Sequence, residues 1–208
     1  MTESTPAVVV ESSDSTTIIR FNRPSERNPL SRQTLTELET ALATLDAKTR
    51  ALVLTGTDDV FASGAHLREV QELTPGQARA FSRLGQRIFQ TIAERRQVSI
   101  AAINGYCMGG ALDLALACDI RIASPNAVFA HPGTRLGIIT GWGGTQRLSR
   151  LIGRTRTLEL LLTARRVDSR EAYEIGLVTE VKDPVLEYAV GLAERVVSQS
   201  TISFQESD

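Results

Sequence analysis

Apolar and polar positions along the chain follow two rhythms, and the changes of rhythm mark the elements. Val8-Val9-Val10 and the run from Thr16 to Phe21 are β-rich and flank the polar turn Ser12-Ser13-Asp14-Ser15, so the spacing predicts a hairpin. Residues 22–29, with Pro24 and Pro29, read as a loop. Leu35, Leu38, Leu42 and Leu45 recur at threes and fours, one apolar stripe of a helix that Ser31 can cap. Ala51-Leu52-Val53-Leu54 is short and continuously apolar, the mark of a strand buried on both faces. The polar and small residues 57–66 follow as a loop, and Thr74-Pro75 starts a second helix reaching about Arg95. Another buried strand, Ser99 to Ile103, stops at Asn104-Gly105. A helix from Gly109 to roughly Ala117 and a strand at Ile120-Arg121-Ile122 come next, and residues 127–131 alternate with Phe129 and His131 on one face. Helical stretches at 145–152, 155–163 and 169–175 precede an alternating run, Leu177 to Val181, and Asp183-Pro184 opens a last helix to about Val197.

Strands alternating with helices make an α/β fold, though periodicity leaves a doubly wound sheet, a barrel and a spiral all open. The 208 residues, 42% of them hydrophobic, suffice for one substantial core. With 23 basic against 24 acidic side chains there is no basic footprint for nucleic acid and no polybasic patch for a membrane, and no apolar run reaches spanning length. Cys107 and Cys118 form neither a CxxC pair nor a metal-ligand pattern and read as buried thiols. The first residues lack the charge and apolar stretch of a signal peptide, so the expectation is a cytoplasmic protein.

Candidate chemistry centres on Ile100 to Ala111, which reads strand, turn, helix, with Gly109 and Gly110 at the helix start. Unpaired N–H groups in a first helical turn, reachable because glycine has no Cβ, suit an anion or a carbonyl oxygen that becomes anionic during reaction. Close packing of strand on helix accounts for a glycine pair equally simply, and on this pattern alone it is favoured. GxGxxG is absent here and at Gly141-Trp142-Gly143-Gly144, and no Gly-Lys-Ser/Thr follows, which leaves out a dinucleotide fingerprint and a P-loop. Asp113 shifts the balance. It lies three residues after Gly110 on the same face, where a carboxylate could move a proton to or from whatever the amides hold, although the helix dipole favours an acid there anyway.

The stretch from Ile100 to Ile120, ending Leu116-Ala117-Cys118-Asp119-Ile120, resembles the signature of the crotonase (enoyl-CoA hydratase/isomerase) superfamily. Four further segments agree in order: Phe21-Asn22-Arg23-Pro24 with Arg27-Asn28, Phe61-Ala62-Ser63-Gly64-Ala65, Gly141-Trp142-Gly143-Gly144-Thr145-Gln146-Arg147-Leu148, and Glu171-Ala172 with Gly176-Leu177-Val178. The resemblance covers residues 7–197. It implies a crotonase-like spiral of ββα turns over residues 1–198, with a short tail, 199–208, in place of most of the family's C-terminal helical segment. It also implies a coenzyme A thioester as substrate or ligand with no other cofactor and no metal, and a homotrimer or hexamer. The implied chemistry is enoyl-CoA hydration or double-bond isomerisation in fatty-acid metabolism. Two backbone N–H groups, matching Ala65 and Gly110, would form an oxyanion hole for the thioester carbonyl. Ala65, His66, Leu67 and Arg68 match the substrate-binding stretch, and Arg27 lies where CoA phosphate or adenine contacts are expected.

Family hydratases use two glutamates flanking a water. The first matches Asp113, one methylene shorter, and the second matches Gly133, which carries no acid. A positioned acid or base is worth about 10²–10⁴ in rate and one oxyanion donor roughly 10²–10³. The resemblance therefore implies thioester binding and enolate stabilisation with weakened hydration, and a non-catalytic acyl-CoA-binding protein is the alternative. His131, two residues before the missing acid, is the candidate substitute; sharing a face with Phe129, it also reads as a histidine satisfied beside the core. Trp142 reads either as a wall of an acyl pocket or as a structural aromatic. Thioester hydrolysis or decarboxylation needs fewer acids, but no residue is marked for it.

Overall fold

The computed structural model describes residues 5–200, so the tail expected at 199–208 lies outside the described residues from 201 onward. The predicted hairpin forms as β1 (Val8–Ser13) and β2 (Thr16–Phe21), paired antiparallel. The 22–29 segment holds a 3₁₀ turn (Pro24–Glu26) and runs into β3 (Pro29–Leu30). Helix α1 (Arg32–Ala43) is capped as expected, the Ser31 hydroxyl accepting from the Thr34 amide at 3.1 Å, and it buries Leu35, Leu38 and Leu42.

From there the chain repeats one unit. Strand β4 (Ala51–Thr55) leads to β5 (Val60–Ala62) and β6 (Gly64–Ala65), then helices α2 (Leu67–Gln71) and α3 (Pro75–Ala93). Strand β7 (Val98–Ile103) leads to β8 (Tyr106–Met108) and α4 (Gly110–Ala115). Strand β9 (Ile120–Ala123) leads to β10 (Val128–Ala130), a 3₁₀ turn (Pro132–Leu136), and helices α5 (Gly144–Ile152) and α6 (Arg154–Thr163). The remainder is β11 (Val167–Asp168), α7 (Ser169–Glu174), β12 (Glu180–Val181) and α8 (Val185–Ser200).

One sheet has the order β1-β2-β4-β7-β9-β12, parallel from β2 onward. A second has the order β5-β8-β10-β11, and β3 pairs with β6 alone. Strands β5, β8 and β10 stand side by side in the same order as β4, β7 and β9. Each turn thus gives one strand to each sheet before its helices, which is a spiral of ββα turns.

Two expectations are corrected. Residues 57–66 are not loop throughout, because β5 and β6 lie inside them; strands of three and two residues are too short to show an alternation. Within the run from Leu177 to Val181 only Glu180 and Val181 pair as strand, since the amides of Leu177 and Val178 are taken by the Ala172 carbonyl at 2.8 and 3.2 Å, closing the end of α7.

The continuous apolar runs have a direct cause. Leu52, Leu54, Ala101 and Ile103 point into the main core between sheets and helices, while Ala51, Val53, Ile100 and Ala102 point to the other face, where α8 covers them with Val185, Ala189 and Ala193. Both faces of the central strands are dry.

Candidate active site

Three turns of the spiral bring their connections to one cavity of about 260 Å³. Ala65 comes from the first turn and is fixed by polar contacts on the strand before it. Buried Asn28, in the left-handed region at φ 48°, donates its amide to the Val60 carbonyl at 2.9 Å and accepts from the Arg23 amide at 2.7 Å. The Ser63 amide donates to the Arg27 carbonyl at 3.0 Å, and β6 then pairs with β3. Gly64 is required: at φ +88° it lies so close to the β8–α4 junction that a Cβ would sit 2.5 Å from the Met108 carbonyl and 3.0 Å from the Gly110 nitrogen. Ala65 is thereby set beside Gly110.

Gly110 opens α4, where its amide has no partner within the helix. The packing reading of this glycine also holds, since a Cβ would run into the indole of Trp142. That indole is 5% exposed, meets Phe81 and Phe89 edge-on at 5.3 and 5.5 Å, and lines the cavity. Trp142 is both structural and a wall.

Asp113 and His131 meet, which their separation of eighteen positions gives no hint of. Asp113 is 1% exposed and His131 7%, and Nε2 of the imidazole stands 3.3 Å from Oδ1 of the carboxylate. The second carboxylate oxygen accepts from the hydroxyl of Thr140. Gly144, the first residue of α5, abuts Oδ1 so closely that no Cβ fits, so the positive end of that helix also faces the acid. A carboxylate this deep is tolerable only with such partners. His131 continues the buried face of Ala127 and Phe129, as its alternation predicted.

Gly133 lines the cavity beside this pair and is buried. Its carbonyl accepts from the Ile138 amide at 3.0 Å, and a Cβ there would sit 2.7 Å from the Ile138 carbonyl oxygen and 3.5 Å from Nδ1 of His131. The imidazole thus stands next to the place where any side chain at 133 would begin. Leu67 also lines the cavity, but His66, Arg68 and Arg27 do not. His66 is no free loop histidine: it caps α2, its Nδ1 accepting from the Glu69 amide at 3.2 Å. Arg27 and Arg68 are exposed outside the cavity.

Thr140 braces Asp113 and is not singled out in the sequence, because a threonine in an irregular segment carries no signal of its own. Asn28 and Gly144 also brace the site, and in the sequence they stand out only as members of motifs. Burial pushes the Cys107 thiol well up, with help from nearby Asp113, and pushes that of Cys118 up to about 12, so burial opposes the thiolate at both. Among the described residues no cluster of His, Cys, Asp or Glu is placed to hold a metal ion, and no helix is long and apolar enough to cross a membrane.

A ββα spiral whose turns close on an apolar cavity beside a glycine-opened helix defines the crotonase class of folds. Comparison with known proteins agrees. The profile of the enoyl-CoA hydratase/isomerase family matches residues 11–207. A short-chain-enoyl-CoA hydratase of Clostridium acetobutylicum is 36% identical over 205 residues, covering 96% of this chain and 78% of that protein. A crotonyl-CoA hydratase of Syntrophomonas wolfei is 37% identical, covering 96% and 79%. The crystal structure of enoyl-CoA hydratase from Bacillus anthracis superposes with a TM-score of 0.89 at 38% identity, covering 92% of this chain and 77% of that one. The chain belongs to the enoyl-CoA hydratase/isomerase family of the crotonase superfamily.

Proposed function

We propose that this protein binds acyl-CoA thioesters and catalyses proton transfer on enoyl-CoA substrates, as double-bond isomerisation or hydration. The observation that carries the reading is the buried Asp113–His131 pair, which lines the same cavity as Ala65 and Gly110. In this reading the amides of Ala65 and Gly110 hold the thioester oxygen and stabilise the enolate that forms on it. The Asp113–His131 pair takes a proton from the substrate carbon or from water, and returns it at the other end of the enolate. The family relatives named above support the substrate class. The apolar lining, with Leu67, Val70, Phe81 and Trp142, suits a hydrocarbon acyl chain.

The test is turnover of 2-enoyl-CoA and 3-enoyl-CoA esters of several chain lengths, followed by the absorbance of the conjugated enoyl thioester. Asp113→Asn is expected to lower turnover by about 10²–10⁴. The bare Gly133 favours a second reading, an acyl-CoA-binding protein without catalysis. Tight binding with no turnover of any ester would establish that reading and overturn the first.

A further inference from the structure

We propose that the same cavity hydrolyses acyl-CoA thioesters, with His131 as general base. The inference rests on the thioester reading above and extends it to a different bond. Addition of water across a carbon–carbon double bond is served in this family by two acids around one water, and here the second position is closed. Gly133 is tied to Ile138 through its carbonyl at 3.0 Å, and any side chain at 133 would start 2.7 Å from the Ile138 carbonyl oxygen. The group beside that position is the imidazole of His131, whose Nδ1 lies 3.5 Å from where the Cβ would be.

The wiring of this imidazole resembles a hydrolytic base more than half of a hydratase pair. An ionised Asp113 can only accept, and with the acid in that form Nε2 of His131 is the nitrogen that carries hydrogen toward it. Thr140 holds the other carboxylate oxygen and keeps the acid from turning away. The lone pair is then left on Nδ1, and among the described residues nothing donates a hydrogen bond to it. The cavity thus combines a carboxylate-oriented imidazole with one free basic nitrogen and the two amide positions for an oxyanion.

One base suffices for hydrolysis. Water gives a proton to Nδ1 as its oxygen bonds to the thioester carbon, and the carbonyl electron pair moves onto oxygen, held by the amides of Ala65 and Gly110. Asp113 stabilises the imidazolium. The tetrahedral intermediate then collapses, the carbon–sulfur bond breaks, and the Nδ1 proton leaves with the sulfur as coenzyme A thiol, giving the free acid. A thiol of ordinary pKa of about 8.5 is a good leaving group, so this step needs no second acid.

A saturated ester separates the two readings, because butyryl-CoA can be neither hydrated nor isomerised. The 208-residue protein is incubated with butyryl-CoA and thiol release is followed with a disulfide reagent. Release above the spontaneous rate is expected. His131→Gln and Asp113→Asn, purified in the same way, should each lose about 10²-fold or more while still binding butyryl-CoA in equilibrium dialysis. Butyryl-CoA left intact by protein that turns over enoyl-CoA esters would overturn the hydrolytic inference and leave the proposed function standing. Release unchanged in His131→Gln would also overturn it. If neither ester reacts and butyryl-CoA does not bind, both readings fall.

Discussion

At the scale of single residues, position 133 decides what this cavity can become. Placing at 133 the acid that the family resemblance leads one to expect, by Gly133→Glu, looks like a simple repair, yet the backbone opposes it. A Cβ at 133 lies 2.7 Å from the Ile138 carbonyl oxygen, and the neighbouring space holds the imidazole of His131. Moving either disturbs the Gly133–Ile138 hydrogen bond or the Asp113 pair. Gly133→Glu is therefore expected to give no gain in enoyl-CoA hydration and to lower stability by about 1–3 kcal/mol, an overpacking cost, read by thermal denaturation beside the hydration assay. A large gain in hydration would show that the 133–138 segment yields easily. The positions of Asp113, His131 and Gly133 were readable in the sequence because motif and alternation mark them. Their contact was not, since it depends on α5 and Thr140 arriving from elsewhere in the chain.

At the scale of elements, α8 shows how side-chain size sets the position of a whole helix. Ala189 and Ala193 are one turn apart and fully buried, and they press on Val53, Ile100 and Ala102 of the central strands. Small side chains there let the helix lie close enough to dry the outer face of the sheet. Ala189→Leu inserts three carbons where nothing is vacant, and a loss of about 1–3 kcal/mol is expected. The urea midpoint should fall while the slope of the transition stays unchanged; a changed slope would mean the substitution had altered compactness instead. Elements of this size are legible because their periodicity runs over many residues: α1, α3, α8 and the runs in β4 and β7 all fall where the pattern put them. Strands β5, β6 and β8 are two or three residues long and are made by pairing rather than by local preference. No window of sequence that short distinguishes them from a turn.

At the scale of the molecule, apolar runs announce that strands are buried but not which strands lie side by side, and so the spiral came from family resemblance rather than from periodicity. Its consequence is a main core continuous from β8 through α4 to the residues just after it, and both cysteines sit in it. Burial holds each thiol in its neutral form, pushing Cys107 well above the ordinary value and Cys118 from an ordinary 9.0 to about 12. The sign follows from which state ionises first. Below the ordinary thiol value both states keep the proton and the full stability is present; as pH climbs towards about 12 the unfolded chain ionises first and that stability drains away. Reaction with a disulfide reagent needs thiolate, and burial keeps the Cys118 thiol protonated in the folded protein well above the ordinary thiol range. The expectation is that native protein shows almost no reactive thiol, that denatured protein shows both, and that both label slowly at one shared rate set by opening of the whole core. A thiol that labels well ahead of the other would instead mark an independent local opening, at β8 for Cys107 or between α4 and β9 for Cys118. Because Cys107 and Asp113 are close enough for the carboxylate to raise the thiol further, early labelling of Cys107 would place that opening at the candidate site itself.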